Sequence, residues 1–360
     1  MQILEYVGRR AARIENERLR VTVTTEGGHI AELLHKQTGV NPLWTPHWRS
    51  IEPSTFDPAR HLQYGPHNEA HLLSGILGHS VCLDIFGGPS AEEAIAGIPV
   101  HGEACVARYE MSGDGSNIHM QTVLLKAQLL FKRRISLHPD FPRIDVTESI
   151  ENLTATDRPI GWTQHVSIGP PFLELGQTEF RMSATRSKVI NSSFNDGRGP
   201  QEPDAEFEWP YCPLKSGHIV DLRVFPSERV SGGFTAHLMD TGAENAWFAV
   251  WAPATKVLLA YIWRRSDFPW LARWEENHLR TQPPWNGAGL ACGMEFGVSP
   301  FVESRRAMVD RGTLFGVPTF RWVPARSRIS VNYCAFLALR DCIPERIHWD
   351  GDSQRGLEGE

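Results

Sequence analysis

Glu295 lies in the stretch GLACGMEFGVSPF (289–301), surrounded by glycine, sulfur-bearing and apolar side chains. A carboxylate is costly to bury without a partner. This one either pairs with an arginine from elsewhere or keeps a raised proton affinity, which suits a general base near neutral pH. His165, in RPIGWTQHVSIGPPFLE (158–174), sits on a strand-like run that leads into a rigid Gly-Pro-Pro loop. An imidazole so placed either points into a cleft or is a satisfied core histidine. Trp162 and Gln164 precede it, with Gln164 on the opposite face by strand alternation. His101, in AGIPVHGEACVARYE (96–110), precedes a glycine that permits a sharp turn or a close backbone approach. It is either a turn histidine or a sugar-binding or acid/base group.

Aromatic groups accompany these candidates. The chain has 12 tryptophans, and Trp263, Trp270, Trp274 and Trp285 crowd one region. Indole faces pack core, and they also cover the C–H faces of sugars while neighbouring polar groups bind hydroxyls. His67, His71 and His79 cluster in YGPHNEAHLLSGILGHS (64–80), but H-E-x-x-H is absent and no third ligand is evident. No metal is expected, although Asp84 and Glu103 leave an oxygen-ligated ion open. No cofactor is expected either, since there is no dinucleotide fingerprint, P-loop or G-x-S-x-G elbow.

Short strands must position these residues. RLRVTVTT (18–25), NIHMQTVLL (117–125), FKRRISL (131–137), RIDVTESIEN (143–152) and HIVDLRVF (218–225) alternate at period two. WFAVWAP (247–253), KVLLAYIW (256–263) and RISVNYCAFLAL (328–339) read as buried strands. Helices are few. PSAEEAIAG (89–97) predicts one capped by Ser90 and stopped by Gly97, and ESRRAMVDRG (303–312) one stopped by Gly312. The expected fold is all-β, a large antiparallel β-sandwich with a few short helices, forming one domain over 1–345. The polar tail at 346–360 is expected to fray.

Of the 360 residues 41% are hydrophobic, and the net charge of −6 comes without a basic patch, so nucleic acid is not an expected partner. The six cysteines form no CxxC pair and read as reduced core thiols. No apolar run spans a membrane, and the N-terminus lacks a signal-peptide apolar segment, so the expected location is the cytoplasm. Oligomeric state is left open.

Five segments, in order, resemble the aldose 1-epimerase (galactose mutarotase-like) superfamily. They are RIENERLRVTVTTEGGHIAELLHKQTGVNPLW (13–44), IPVHGEACVARYEM (98–111), VTESIENLTATDRPIGWTQHVSIGPPFL (146–173), GMEFGVSPF (293–301) and VPARSRISVNYCAFL (323–337). The resemblance implies an antiparallel sandwich with a sugar cleft and a small carbohydrate as the binding partner. It further implies Glu295 as the base at the anomeric hydroxyl and His165 as the acid at the ring oxygen. His101 would hold the sugar and polarise that oxygen. Typical members carry an Asn-Arg pair before the His-Gly motif, whereas 77–104 here contains no arginine. His79 or Asp84 is expected on that ground. Where members carry a hydroxyl-binding aspartate, SGGFTAHLMD (231–240) offers Thr235 and His237. Trp162, Gln164, Trp274 and Glu276 complete the expected sugar contacts. The implied function is anomer interconversion of a free sugar or sugar derivative by general acid/base ring opening. The alternatives are a non-catalytic carbohydrate-binding protein, a lyase or a hexose-phosphate epimerase, the last drawing on Arg264, Arg265, Arg273 or Arg280.

Overall fold

The computed structural model describes residues 1–192 and 194–347. The expected tail lies almost wholly outside them. Two large sheets face one another, and every strand pair is antiparallel. The larger sheet runs from Gln2–Tyr6 at one edge, through His79–Asp84, Arg158–Ile168, Leu290–Gly297, Trp270–Asn277 and Ser231–Met239, to Glu206–Glu208. The smaller sheet runs from Glu179–Met182 through Asn245–Ala252, Val257–Arg264, Arg328–Leu339 and Arg143–Asn152 to Glu110–Gly113. The expected strands at 143–152 and 328–339 form over their full predicted lengths. HIVDLRVF does not: only Ile219–Asp221 is a strand, paired in a small separate hairpin.

Alternation sorts the side chains of the larger sheet onto two faces. Val81, Leu83, Trp162, Val166, Leu271, Cys292, Met294 and Phe296 point inward and join Ile144, Val146, Ile150, Leu259 and Tyr333 of the smaller sheet in the main core. Cys82, Phe234, Ala236, Ala272, Trp274 and Ala291 point the other way. There they form a second apolar cluster with Trp44, Leu72, Leu73, Val100 and Trp285 from loops and a short helix. That second cluster lies under the cleft.

Both expected helices form. Ser90 caps Ala91–Ile95 in a reciprocal capping box with Glu93. Ser304 caps Arg305–Arg311, and Gly312 ends it at a left-handed φ of 68°. A third helix, Ala70–Gly75, covers the cleft side. Cys342 is exposed, which corrects its reading as a core thiol; the other five cysteines are buried.

The inter-sheet core holds a polar network. Glu148 accepts hydrogen bonds from Arg133 (2.7 Å), Gln164 (2.7 Å), Trp162 (3.0 Å) and Tyr333 (3.0 Å). His79 joins it through Gln164 Oε1 (3.0 Å) and Tyr261 (3.2 Å). Four donors satisfy the buried carboxylate, the condition under which such a charge is tolerated.

Candidate active site

Arg158–Ile168 and Leu290–Gly297 are neighbouring strands in a register that sets His165 directly opposite Glu295. Directly opposed residues have side chains close enough to touch. His165 Nε2 lies 3.0 Å from Glu295 Oε1, with 7% and 1% of the two side chains exposed. Neither Glu295 oxygen has a well-aligned hydrogen-bond donor among the described residues. The two groups touch without an aligned hydrogen bond, and both buried carboxylate oxygens are left without a donor among the described residues. On the far side of the ring, Ser167 Oγ lies 3.1 Å from His165 Nδ1 and suits either tautomer, because a hydroxyl donates or accepts.

Gly293 makes room for this arrangement. Residues two apart share a strand face, and the Glu295 side chain folds back over Gly293. A Cβ there would come within 2.2 Å of Glu295 Oε1. The apolar setting of Glu295 thus has a local steric reason as well as an electrostatic one.

His101 reaches the cleft from a turn. Its own φ is 64° and that of Gly102 is 77°, two successive left-handed residues. A Cβ on Gly102 would sit 1.9 Å from the carbonyl oxygen of Leu83, so only glycine lets the turn pack on the His79–Asp84 strand. His101 Nδ1 bonds to the carbonyl of Phe86. A carbonyl only accepts, so the proton is on Nδ1 and Nε2 is an acceptor. Neutral His101 therefore offers Nε2 as a hydrogen-bond acceptor. Its ring centroid is 5.2 Å from that of His165.

Burial governs the titration of all three groups. It holds Glu295 well above the ordinary carboxylate range, against the opposing charge of Arg280. Burial, followed by His101, lowers His165 well below its ordinary value. Burial also lowers His101. Both shifts favour the uncharged forms, a carboxylic acid beside a neutral imidazole, which together carry the same single proton as a carboxylate beside an imidazolium.

These groups line a cavity of about 260 Å³, near the lower bound (~300 Å³) of small-molecule sites. Trp274, Trp285, Phe234 and Leu72 form its apolar wall. Trp44 backs Trp285 in a stack with centroids 5.7 Å apart and planes at 8°. Arg280 enters the cavity from the loop after Trp270–Asn277, its Cζ 5.1 Å from the Trp285 ring centroid and 5.7 Å from that of Trp274. It is held by Asn195 Oδ1 (3.1 Å), Glu69 (3.5 Å) and Glu276 (3.5 Å).

The structure thus brings together Glu295, His165, His101 and Trp274. Glu276 stands one shell back, where it positions Arg280 through the side chain and through the Arg280 backbone N–H (2.9 Å). The remaining expected contacts are placed elsewhere. His79, Gln164 and Trp162 point into the inter-sheet network, one residue out of phase with the cleft face. His237 and Thr235 also face inward. His237 bonds to Ser187 (2.8 Å) and Thr235 (2.8 Å), and burial lowers its pKa to about 3. Phe234, their neighbour, lines the cavity instead. Asp84 is clamped by Arg158 (2.8 Å) and Arg305 (3.1 Å), tying its strand to a helix. Of the tryptophan group, Trp263 stacks on Phe296 in the core and Trp270 bonds to the carbonyl of Pro318. Arg273 is buried against Glu275 (3.0 Å). His71 bonds to the carbonyl of Pro53, away from His79, and no cluster of three metal-ligating side chains occurs among the described residues. Glu69 and Asn195 were not expected; they lie in polar loop segments whose sequence carries no periodic signal.

The site is thus an imidazole–carboxylate pair at the floor of an aromatic-walled cleft on an antiparallel two-sheet sandwich. Comparison with solved structures places the fold. A Klebsiella pneumoniae protein provisionally assigned as an aldose 1-epimerase superposes with a TM-score of 0.67 at 14% identity, covering 92% of this chain and 80% of that one. An Escherichia coli K12 protein with the same provisional assignment gives 0.63 at 10% identity, over 92% of this chain and 100% of that one. A galactose mutarotase-like protein from Clostridium acetobutylicum gives 0.60 at 13%, over 94% and 98%. No family model matches the chain, and no curated protein matches it. The chain has the galactose mutarotase-like fold. Among its described residues no helix is long and apolar enough to cross a membrane.

Proposed function

We propose that this protein is an aldose 1-epimerase-like enzyme that interconverts the anomers of an uncharged free sugar. The observation that carries the reading is the 3.0 Å approach of His165 Nε2 to Glu295 Oε1 in an aromatic-walled cavity. Acid and base must both reach one pyranose ring, and groups in contact can each touch one of the two oxygens on C1. With the pair's single proton on His165, Glu295 takes the proton of the anomeric hydroxyl. The C1–O5 bond breaks as the C1–O1 double bond forms, and O5 takes a proton from His165. The aldehyde turns about C1–C2. Closure on its other face returns the O5 proton to His165 and the Glu295 proton to O1, so the pair ends as it began. His101 accepts from a hydroxyl, and Trp274 covers a C–H face. Acid/base positioning of this kind is worth roughly 10²–10⁴-fold.

Arg280, the one arginine lining this cavity among the described residues, disfavours a phosphorylated substrate. Glu69 and Glu276 already flank Arg280 at 3.5 Å each, so a phosphate would have to displace a carboxylate. Polarimetry of freshly dissolved neutral aldoses and their 6-phosphates tests this. The expected result is acceleration of at least one neutral sugar and none of its phosphate; the reverse preference would overturn the assignment.

A further inference from the structure

Buried tryptophans of this chain fall into two groups. The indole N–H groups of Trp48, Trp162, Trp251, Trp263 and Trp270 each donate to a protein acceptor. Those of Trp274 and Trp285, which line the cavity that holds Glu295 and His165, are buried with no partner among the described residues. Asn195 Nδ2, on the wall of the same cavity, is in the same state. The orientation of that amide is fixed, because its Oδ1 faces Arg280 Nε at 3.1 Å and a guanidinium only donates. An indole nitrogen likewise only donates. Three unmet donors therefore belong to one cavity, and buried donors without acceptors are costly.

The rest of the wall decides which acceptor fits. Leu73, Ile76, Val100, Phe194, Phe234 and Val302 are apolar. A hydroxyl that accepts from an indole must still place its own proton, and an apolar wall offers no acceptor for it. A carbonyl oxygen only accepts, and it takes two hydrogen bonds. A carboxylate also only accepts. Glu69 and Glu276 already flank Arg280 at 3.5 Å each, however, and Glu295 lines the same cavity, so a further negative charge is unfavourable there. An amide carbonyl bearing a methyl group suits both the donors and the apolar wall.

We infer that this cavity takes a reducing sugar bearing an N-acetyl group. The inference rests on the epimerase reading of Glu295 and His165. The acetyl oxygen accepts from two of the three donors at Trp274, Trp285 and Asn195, and the methyl group packs on the apolar wall. The amide N–H has acceptors in the same cavity at Glu69 and at His101 Nε2. The ring centroid of Trp274 is 6.1 Å from that of His165, which sets the acetamido group close to the reacting carbon, as in the N-acetylhexosamines.

Binding of N-acetylglucosamine, N-acetylgalactosamine and N-acetylmannosamine, of the three matching hexoses, and of glucuronate is measured by NMR titration, with anomer exchange recorded on the same samples. The wild type should bind at least one acetamido sugar about tenfold tighter than its hexose, the worth of one or two added hydrogen bonds. That ratio should fall to about one in Trp274→Phe/Trp285→Phe, which keeps aromatic faces and removes both N–H groups. It should also fall in Asn195→Asp, which keeps the acceptor for Arg280 and replaces the amide donor by an oxygen. The ratio compares two sugars on one protein, so a general loss of affinity does not imitate the effect. Equal affinities in the wild type, a ratio unchanged in both variants, tightest binding of glucuronate, or no binding of any sugar would overturn the N-acetyl inference. Accelerated anomer exchange of a plain hexose without an acetamido preference would overturn it while leaving the epimerase reading in place. An acetamido preference lost in the variants, with no anomer exchange accelerated by the wild type, would leave the N-acetyl site standing and remove the epimerase reading.

Discussion

Gly293→Ala isolates the geometry of the acid/base pair from its chemistry. The new Cβ would lie 2.2 Å from Glu295 Oε1, 3.0 Å from its Cδ and 3.2 Å from its Cγ. Ordinary contact begins near 3.4 Å, so the carboxylate must move by roughly 1 Å, and its contact with His165 opens by a similar amount. The clash is with the end of a side chain and involves no backbone, so the strand itself is not displaced. Replacing glycine by alanine within a regular element also stabilises by about 0.5–1 kcal/mol. The expected outcome is a protein at least as heat-stable as the wild type, with anomer exchange reduced about a hundredfold, the scale of a 1 Å misplacement of a reacting group. Thermal melts and NMR saturation transfer on the same samples check both halves. Exchange within a factor of about three of wild type, with unchanged stability, would refute the claim that Glu295 works from its observed position.

Two further outcomes follow from the buried charges. Glu148→Ala leaves Arg133 buried and unpaired behind the strand that carries His165, which should cost about 3–5 kcal/mol in chemical denaturation. Glu295 has its proton affinity raised by burial from the ordinary 4.5, so its contribution to stability is full below that pH and is lost as pH rises through its folded value. Glu295→Gln should therefore gain stability relative to wild type as pH rises from acid to neutral, and melts across that range that show no such divergence would contradict the burial argument.

Much of the architecture was legible because it depends on local rules. Period-two runs such as 143–152 and 328–339, and the caps at Ser90 and Gly312, are set by alternation and by turn chemistry close in sequence. Glu295, His165 and His101 stand out in the sequence because each joins a titratable group to an unusual local setting, and the structure brings the three to one cavity. The errors among the sugar contacts share one cause. His79, Trp162, Gln164 and His237 lie on the right strands but on the wrong face, and alternation alone does not say which face of a sheet buried on both sides meets the ligand. Gln164 illustrates the ambiguity: it is adjacent to His165, yet its amide is spent on Glu148 and His79. The parts assembled from loops were not legible. Arg280, Glu69 and Asn195 meet only because separate segments fold over the second apolar cluster, and no spacing in the sequence links them.

The central claim is that Glu295 is a working base. Anomer exchange is measured by NMR saturation transfer across neutral mono- and disaccharides, comparing wild type with Glu295→Gln. Acceleration by the wild type that falls by at least about a hundredfold in the variant, with sugar binding retained, is the predicted result. Equal exchange in the two proteins, or binding without acceleration in both, would contradict it and leave a carbohydrate-binding protein on the same fold.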